Sequence, residues 1–409
     1  MADSAATPRW LSIVGIGEDG IDGLTPAARR LVESAEIVFG GKRHLALAAR
    51  LIRGAARLWQ SPFEHAVQEV LAHRGRAVCV LASGDPFQYG VGSVLMRHIA
   101  PHEMIAIPAP SAFSLAAARL GWALPDTTLL SLHGRNLDLI RPRLHPGTRI
   151  LALTSDGEAP AALARLLRDS GFGDSRLLVL EALGGPRERV REATAATFSL
   201  TGIDPLNTVA IELVAAVPDA RVIARTAGLP DHLFEHDRQI TKREIRALTL
   251  SALAPRRGEL LWDVGAGAGS VAIEWMLADP SLKATAIERK PERAARIRRN
   301  AATLGVPGLE VIEGIAPDAL TKLPRPNAVF VGGGASNPGV LDLVVDALTP
   351  GGRLVVNAVT LETEALLLAR HGAHGGELIR IAITRSERVG GMSGWRPAMP
   401  VTQWCWSKP

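Results

Sequence analysis

Three glycines at alternate positions follow an apolar segment in the carboxyl-terminal half of the chain. They are Gly265, Gly267 and Gly269 in "LLWDVGAGAGSVAIEW", residues 260–275. Ordering each glycine costs roughly 0.5–1 kcal/mol of additional chain entropy. A tight turn does not need three such residues. The spacing predicts a buried strand, a loop of bare backbone and a helix, with a ligand lying against the main chain. A simple tight turn is the alternative.

Two carboxylates accompany this loop. Asp263 precedes it by two residues, and Glu288 ends the next strand in "ATAIERKPERAARIRRN". A carboxylate at that place can accept hydrogen bonds from both hydroxyls of a ribose. A dinucleotide fingerprint would need a glycine where Ser270 stands, so the pattern favours a nucleoside without a pyrophosphate. Asp263 as a helix-terminus partner, and Glu288 as a surface acid paired with a neighbouring base, remain alternatives.

The strands and helices that must position these residues fall into two groups, one in each half of the chain. In the second half, "ELLWDVGAG", "KATAIER", "LEVIEG", "NAVFVGG", "RLVVNAV", "LIRIAITRS" and "TQWCWS" predict seven strands. Helical stretches separate all but the last two, which predicts a doubly wound sheet whose final strand enters antiparallel by a hairpin. In the first half, seven short apolar runs alternate with alanine-rich stretches, which predicts a mostly parallel sheet flanked by helices. We place the domain boundary near residue 228, giving domains 1–228 and 229–409.

Length and composition set limits on the function. With 409 residues, 47% of them hydrophobic and 21% charged, the chain is predicted to be globular, with two domains. No run approaches about 18 apolar residues, and the opening lacks the pattern of a secretory signal, so we expect a cytoplasmic protein without a membrane partner. Cys79 and Cys405 lie far apart, which excludes a disulfide framework. His371 and His374 lack companion ligands, and we expect no metal site.

Three segments of the second half carry a resemblance to a known family: "DRQITKREIRAL" at 237–248, the glycine loop, and "NAVFVGGGA". They resemble the S-adenosylmethionine-dependent methyltransferases with a Rossmann-like sheet and, more narrowly, the decarboxylating precorrin methyltransferases of cobalamin synthesis. The resemblance implies that the cofactor S-adenosyl-L-methionine lies on the glycine loop, with Asp263 and Glu288 beside it. It also implies that the loop of Thr241 and Lys242 lies over the cofactor.

One position departs from that family. Ile315 in "EGIAPDAL" stands where methyltransferases of this fold often have an acid. The adenine contact is then expected from the backbone between Gly314 and Pro317, including Ala316.

The first half opens with Gly15 and Gly17 in "IVGIGEDGIDGLTPAARRLVES", where Thr25 and Pro26 are expected to begin a helix. Further on, "VLASGDPFQYG" places a glycine, an acid and a proline after a buried strand. With "IPAPSAFSLAAARLGW" and "LLSLHGRN", this series resembles the tetrapyrrole methyltransferases over nearly all of residues 9–222. That family has two lobes and binds the folded cofactor in the cleft between them.

The resemblance carries cofactor-binding roles onto a set of residues in this half: Gly15, Gly17, Gly84, Asp85, Pro86 and Ser111. Asp85 as a turn residue and Ser111 as a helix cap remain alternatives. The family's glycine–proline–glycine loop is replaced here by residues 17–20, which puts a direct role for Glu18 in doubt. We interpret His133 as a structural histidine, and Arg135 as a candidate for binding a substrate carboxylate.

The fused pair is similar to the bifunctional methyltransferase-decarboxylases that act on precorrin-6Y. The resemblance implies an α/β chain in which a two-lobed tetrapyrrole methylase domain precedes a doubly wound, seven-stranded Rossmann-like methyltransferase domain. The implied reaction is methylation of precorrin-6Y (precorrin-6B) at C5 and C15, with loss of the ring C acetate carboxyl. The family assigns C15 and the decarboxylation to the second half. Relatives of each half are oligomers, so we expect a homo-oligomer.

The net charge of +5 suits the binding of the substrate's carboxylates. The candidate anchors besides Arg135 are Arg243, Arg246, Arg388 and Arg396. Solvated arginines are the alternative, and Trp395 could stack on the macrocycle or pack on the final strand. No other residue is singled out as catalytic, because positioning and the substrate's own conjugation can supply most of the chemistry.

Two other functions were weighed. An RNA methyltransferase would carry a basic stripe with interleaved aromatics, whereas aromatics make up only 4% of this chain; no nucleic-acid partner is expected. A noncatalytic tetrapyrrole carrier would not need two donor loops.

Overall fold

The computed structural model describes residues 9–60, 63–218 and 220–409. The chain forms two compact units. Unit 1 comprises Met1–Arg135 and His145–Arg221, and unit 2 comprises Asn136–Leu144 and Val222–Pro409. The domain boundary near residue 228 stays a prediction, and so does the absence of a secretory signal, which depends in part on residues 1–8 outside the described ranges.

Unit 1 contains two five-stranded sheets. The first has the order β3-β2-β4-β1-β5, and every pairing in it is parallel. Its strands are β1 Leu11–Ile16, β2 Ile37–Gly40, β3 Ala55–Leu58, β4 Val78–Ser83 and β5 Met104–Ile107. The second has the order β6-β7-β10-β8-β9. Its strands are β6 Thr127–Ser131, β7 Arg149–Leu153, β8 Arg176–Glu181, β9 Arg189–Thr194 and β10 Asn207–Glu212.

The expected mostly parallel sheet is correct for the first of these sheets and wrong for the second. There only β6 and β7 pair in parallel, while β10 pairs antiparallel with β7 and β8, and β9 with β8. The strands β3, β6 and β9 were also missed. Their sequences are short or highly charged, as in "RVREAT" of β9, so an apolar run does not mark them.

Unit 2 is built on one seven-stranded sheet with the order β13-β12-β11-β14-β15-β19-β16. Its strands are β11 Leu260–Val264, β12 Lys283–Glu288, β13 Glu310–Glu313, β14 Ala328–Val331, β15 Arg353–Ala358, β16 Glu377–Ile381 and β19 Val401–Ser407. The first five are parallel, and β19 runs antiparallel between β15 and β16. The predicted strands and the antiparallel final strand are confirmed. A two-stranded hairpin, β17 Thr384–Val389 and β18 Met392–Pro397, separates β16 from β19.

Helices complete both units. Unit 1 has α1 Pro26–Ser34, α2 Lys42–Ala48, α3 Phe63–Ala72, α4 Val91–Leu95, α5 Ala112–Leu120 and α6 Ala159–Asp169. Unit 2 has α7 Arg243–Leu253, α8 Ser270–Ala278, α9 Pro291–Thr303, α10 Val340–Ala347 and α11 Leu361–His374. Short 3-10 turns lie at Gly20–Gly23, Pro101–Glu103, Leu124–Asp126, Leu137–Arg143, Asp231–Leu233 and Asp318–Leu320. As expected, Thr25 caps α1 by accepting a hydrogen bond from the Ala28 amide, with Pro26 at the first helical position.

The central part of the sheet of unit 2 is buried on both faces, which is why its inner strands are mostly apolar. Leu261 packs with α7, α8 and α9 on one face, whereas the adjacent Trp262 packs with α10 and α11 on the other. Val355 and Val356 alternate in the same way. A parallel sheet covered on both sides leaves its carboxyl edge as the place for a ligand. In the part of the chain that the structure describes, no helix is long and apolar enough to cross a bilayer.

Candidate active sites

A cavity of about 680 Å³ lies in unit 2 at the carboxyl ends of β11, β12 and β14. Its wall includes Gly265 and Gly267 after β11, Glu288 at the end of β12, Gly314 after β13, and Gly333 after β14. The sequence predicted this edge of the sheet from the glycine loop and the acid of the next strand.

The three glycines of the loop do different things. All have positive φ, between 60° and 75°. A Cβ on Gly265 would lie 2.6 Å from the carbonyl oxygen of Gly333, so the loops after β11 and β14 touch backbone to backbone. Gly267 lines the cavity, but Gly269 does not: a Cβ there would lie 2.7 Å from the Ile297 side chain. Gly269 therefore allows close packing at the start of α8, and its expected cofactor contact stays a prediction.

Glu288 presents a fixed carboxylate to the cavity. Its Oε2 accepts a hydrogen bond from the Gly267 amide at 2.9 Å, and its Oε1 accepts one from the Lys290 amide at 3.1 Å. Because each carboxylate oxygen has two acceptor sites, one on each oxygen remains for a ligand. The side chain is therefore held by the glycine loop rather than by the neighbouring bases that the alternative interpretation named.

Asp263 points away from the cavity and is 1% exposed. Its Oδ2 accepts a hydrogen bond from the Ala272 amide of α8 at 3.1 Å, whereas Oδ1 has no hydrogen-bond partner among the described residues. Burial raises the pKa of this carboxyl to about 7, with the Ala272 hydrogen bond opposing the increase and the nearby Glu288 adding to it. Asp263 thus holds the first turn of α8, and its expected cofactor contact stays a prediction.

This raised pKa makes the stability of unit 2 depend on pH. The unfolded chain releases the Asp263 proton near its ordinary pKa of 3.8, while the folded chain keeps it until about pH 7. The carboxyl therefore destabilises the fold increasingly as pH rises through that window. We therefore expect the melting temperature of Asp263→Asn, relative to that of the unchanged protein, to rise as the pH is raised from 5 to 8.

The matched control for that measurement is Asp279→Asn at the other end of α8. Hydrogen bonds from Ser281 lower the pKa of Asp279, so this carboxylate is ionised in both states above pH 5. Its substitution gives a difference in melting temperature that is constant between pH 5 and pH 8. A constant difference for Asp263→Asn as well would contradict the assignment.

The Thr241–Lys242 loop also lies at the cavity, as do Gly314, Ile315 and Ala316. Lys242 caps α7 with its backbone, and its Nζ lies 3.7 Å from the Asp231 carboxylate. The loop after β13 therefore lies on the cavity wall, and its expected backbone contact with adenine stays a prediction.

A second cavity, of about 440 Å³, lies in unit 1 between its two sheets. Gly17, Gly84 and Asp85 line it from the first sheet, and Ser131 and Thr154 from the second. The expected cleft between two lobes is present.

Two of the residues predicted here hold the backbone instead. A Cβ on Gly15 would lie 1.9 Å from the Gly84 carbonyl oxygen, so the two loops touch through bare main chain. The Pro86 carbonyl accepts a hydrogen bond from the Gly92 amide. Neither Gly15 nor Pro86 lines the cavity; both support the loop, and their direct cofactor contacts stay predictions.

Asp85 and Ser111 line the cavity while also filling the alternative roles. The Asp85 Oδ1 accepts a hydrogen bond from the Phe87 amide at 2.8 Å, which forms a turn. The Ser111 Oγ caps α5 by accepting one from the Ser114 amide at 3.2 Å. Both therefore set the shape of the wall, and their cofactor contacts stay predictions.

His133 and Arg135 lie on the same wall. The His133 Nδ1 lies 3.0 Å from the Thr154 carbonyl oxygen, which fits a structural histidine. The Arg135 guanidinium carbon lies 5.7 Å from the centre of the Tyr89 ring. That contact leaves the polar edge of the guanidinium able to bind a carboxylate.

Both halves of the chain match known protein families. Residues 11–199 match the tetrapyrrole (corrin/porphyrin) methylases, and residues 232–408 match the precorrin methyltransferase domain. A precorrin-6Y C(5,15)-methyltransferase (decarboxylating) of a Sinorhizobium species is 60% identical over 407 residues, which cover 100% of this chain and 98% of that protein. The chain belongs to the family of decarboxylating precorrin-6Y C(5,15)-methyltransferases.

Further relatives in this family carry the same name. One from Mycobacterium tuberculosis is 42% identical over 399 residues, 97% of this chain and 99% of that protein. A crystal structure of the C-terminal domain of the Rhodobacter capsulatus precorrin-6Y C5,15-methyltransferase is 48% identical, covers 46% of this chain and 100% of that chain, and has a TM-score of 0.44. The expected fold class and the expected enzyme class are confirmed.

Arg246 is not a substrate anchor of this methyltransferase family member. Its side chain is fully buried. Its Nε donates to Glu274 at 2.6 Å, and its Nη1 donates to Asp231 at 3.1 Å. The remaining donors contact the carbonyl oxygens of Thr241 and Leu229. The guanidinium holds the start of α7 against α8, so the predicted role is wrong.

The other proposed anchors lie outside the wall of the unit 2 cavity. Arg243 is exposed on α7, and Arg388 is exposed on β17. Arg396 pairs with Glu387 across the hairpin at 2.9 Å. Trp395 is 78% exposed, so it does not pack on the final strand. Their contacts with substrate stay predictions.

The sequence analysis missed several polar residues of that wall, namely Arg238, Arg289, Arg293, Asn337, Asn357 and Arg385. Both Arg238 and Arg289 stand inside quoted motifs. Arg238 could have been found by its place beside the threonine–lysine loop, and Arg289 by its place directly after a strand. Asn357 is the penultimate residue of β15, and its amide is held by Thr249 at 3.0 Å and by Gln403 at 2.8 Å. Only the folded sheet brings those three together.

No group of three histidine, cysteine or acidic side chains suited to a metal was found in the described ranges. His374 instead packs against the rings of Trp404 and Trp406, at 6.4 and 6.1 Å between centroids. Both cysteines are free thiols.

Proposed function

We propose that this chain methylates precorrin-6Y at C5 and C15 and removes the carboxyl of its ring C acetate, in cobalamin biosynthesis. The observation that carries the proposal is a whole-length relationship to enzymes of that name, at 60% and 42% identity. Two separate cavities, one in each unit, fit an enzyme with two methyl-transfer sites.

We propose S-adenosyl-L-methionine as the donor in both cavities, and unit 2 offers a matching set of groups. The free acceptor positions of Glu288 suit the two hydroxyls of a ribose. The bare backbone of Gly265 and Gly267 allows the close approach of an amino acid end. When bound, this donor supplies a methyl group already activated on a sulfonium. In unit 1 the corresponding backbone is that of Gly17 and Gly84.

The protein's part in methyl transfer is to hold two reactants in line and exclude water. A meso carbon conjugated with pyrrole nitrogens behaves as an enamine-like nucleophile, so no side chain needs to form a covalent bond. Positioning of this kind can supply about 7–11 kcal/mol of barrier reduction. We assign C5 to unit 1, and C15 with the decarboxylation to unit 2.

Decarboxylation needs an electron sink and a carboxylate kept from water. The macrocycle is the sink. In unit 2, the cavity wall includes the apolar residues Val359, Ile383, Met399 and Val401. It also includes cations that suit the substrate's other carboxylates, namely Arg238, Arg289 and Arg293. An acetate against the apolar residues would lose its hydration while the remaining carboxylates stay anchored.

The test uses the full chain. Isothermal calorimetry is expected to detect binding of S-adenosyl-L-methionine, with none of a nicotinamide dinucleotide. Labelled donor and isolated precorrin-6B should then give a product with two added methyl groups and one carbon dioxide fewer by mass. Donor binding without change in the tetrapyrrole mass would disprove the reaction, and labelling of RNA instead would favour the RNA methyltransferase alternative.

The remaining expectations belong to the same proposal. A homo-oligomer, the lack of a nucleic-acid partner and a cytoplasmic location rest on the resemblance and on composition. Sedimentation at several concentrations measures the first, and fractionation of the source cells measures the last.

A further inference from the structure

A cluster in unit 1 that the reaction scheme has not used lies on the wall of its cavity. Arg43 and His44 stand in the first turn of α2, after β2, and Ser83 is the last residue of β4. The Ser83 Oγ lies 2.8 Å from the His44 Nε2 and 2.7 Å from the Arg43 Nη2. The Arg43 Nη2 lies 3.0 Å from the same His44 nitrogen.

The polarity of these contacts follows from the guanidinium, which can only donate. Arg43 therefore donates to the Ser83 oxygen. The His44 Nε2 also lies against this guanidinium, where a proton on Nε2 would face a group that cannot accept it, so we place the ring proton on Nδ1. The Nδ1 is buried and has no hydrogen-bond partner among the described residues. The Ser83 hydroxyl is then free to donate its own proton to the His44 Nε2.

The surroundings keep the imidazole neutral. Burial, together with the adjacent Arg43 charge, lowers the pKa of His44 to about 4. Glu18 faces the cluster but is paired with Arg43, and with Arg187 at 3.3 Å. A neutral imidazole beside a hydroxyl on a cavity wall has the form of a proton-accepting pair.

We propose that Ser83 and His44 remove the proton from the meso carbon that unit 1 methylates. This inference rests on the proposed function and assigns the residues that complete it. Methylation leaves the meso carbon bonded to hydrogen and to the new methyl, with one positive charge on the macrocycle. The C–H bond then breaks, and its electron pair restores the conjugated system. Ser83 takes the carbon's proton as it passes its own to the His44 Nε2.

The weakness of this base is no obstacle, because the carbon acid is activated. A C–H next to a cationic, iminium-like system is far more acidic than an ordinary one, so a poorly basic nitrogen suffices. Asp85 and His133, two other titratable groups of the wall, each have a hydrogen-bond partner of their own. The Asp85 carboxylate accepts the Phe87 amide, and the His133 Nδ1 is bound to a carbonyl oxygen.

The test measures C5 and C15 methylation separately, by mass and NMR of the product, in the full chain. Ser83→Ala and His44→Gln are expected to lower the rate of C5 methylation by about 10²-fold. Glutamine keeps an acceptor for Arg43 but is not a base. The affinity for S-adenosyl-L-methionine and the rate of C15 methylation should stay within twofold. His102→Asn, an exposed histidine of the same unit, is the matched control and should change none of these.

A kinetic isotope effect separates proton transfer from a merely structural role. With substrate that carries deuterium at the meso carbon, both variants should show a primary isotope effect larger than that of the unchanged protein. Unchanged C5 methylation, or slower C5 methylation without a larger isotope effect, would overturn the proposal. If His44→Gln does not fold, Ser83→Ala alone carries the decision. Failure of the unchanged protein to methylate C5 would instead reject the proposed function.

Discussion

Replacing Arg246 by methionine is expected to lower the free energy of unfolding of unit 2 by about 3–5 kcal/mol. The methionine would leave Glu274, which is 5% exposed, without its cation. It would also leave the carbonyl oxygens of Thr241 and Leu229 without their donor. Urea denaturation followed by hydrogen exchange of peptides from α7 and α8 measures the loss in unit 2 itself.

Two further variants show whether the uncompensated charge is the cause. Arg246→Met combined with Glu274→Gln removes both charges and should recover part of the lost stability. Arg243→Met, on the exposed side of the same helix, should change the free energy of unfolding by no more than about 0.5 kcal/mol. Equal losses for Arg246→Met and Arg243→Met would show that Arg246 is not the buried support described above.

The second large effect is on donor binding. Glu288→Gln replaces the carboxylate at the cavity with a neutral amide of the same shape, so the hydrogen bonds to two ribose hydroxyls lose their charge. Hydrogen bonds to a charged group contribute about 1.5–3 kcal/mol, and their loss corresponds to an increase in the dissociation constant of about 10- to 150-fold. Calorimetry on the full chain should show this loss for one of two binding events for S-adenosyl-L-methionine.

The matched control is Glu313→Gln at the end of the neighbouring strand. Glu313 is exposed and pairs with Arg298 at 2.8 Å, so its substitution should leave donor affinity unchanged. If Glu288→Gln also binds two equivalents with unchanged affinity, Glu288 does not contact the donor.

The sequence was sufficient to predict those parts of the site that depend on the order of neighbouring elements along the chain. A strand, a glycine loop and an acid at the end of the next strand specify one edge of a parallel sheet, and Gly267 and Glu288 meet there through a hydrogen bond. The sequence was insufficient where the role of a residue depends on the direction in which its side chain points. Asp263 and Glu288 are both strand acids, but one points into the core and the other into the cavity, and the residue type does not tell them apart.

Arg246 illustrates a signal that was present and overlooked. It stands three, four and seven residues before Thr249, Leu250 and Leu253, which are all buried. That spacing places it on the packed face of α7. The cluster of His44 and Ser83 could not be foreseen in this way, because β2 and β4 become neighbours only when the sheet forms.

The strand order of unit 2 also governs how it acquires its structure. The central strand β11 pairs Leu261 with Ala328, and β15 pairs Arg353 with Ser407. Partners so far apart in sequence must meet before their contacts repay the entropy of closing the intervening chain. We expect slow refolding through species with unpaired strand edges, in which Trp404 is still in water, and hence a tendency of dilute denatured chains to aggregate on return to buffer.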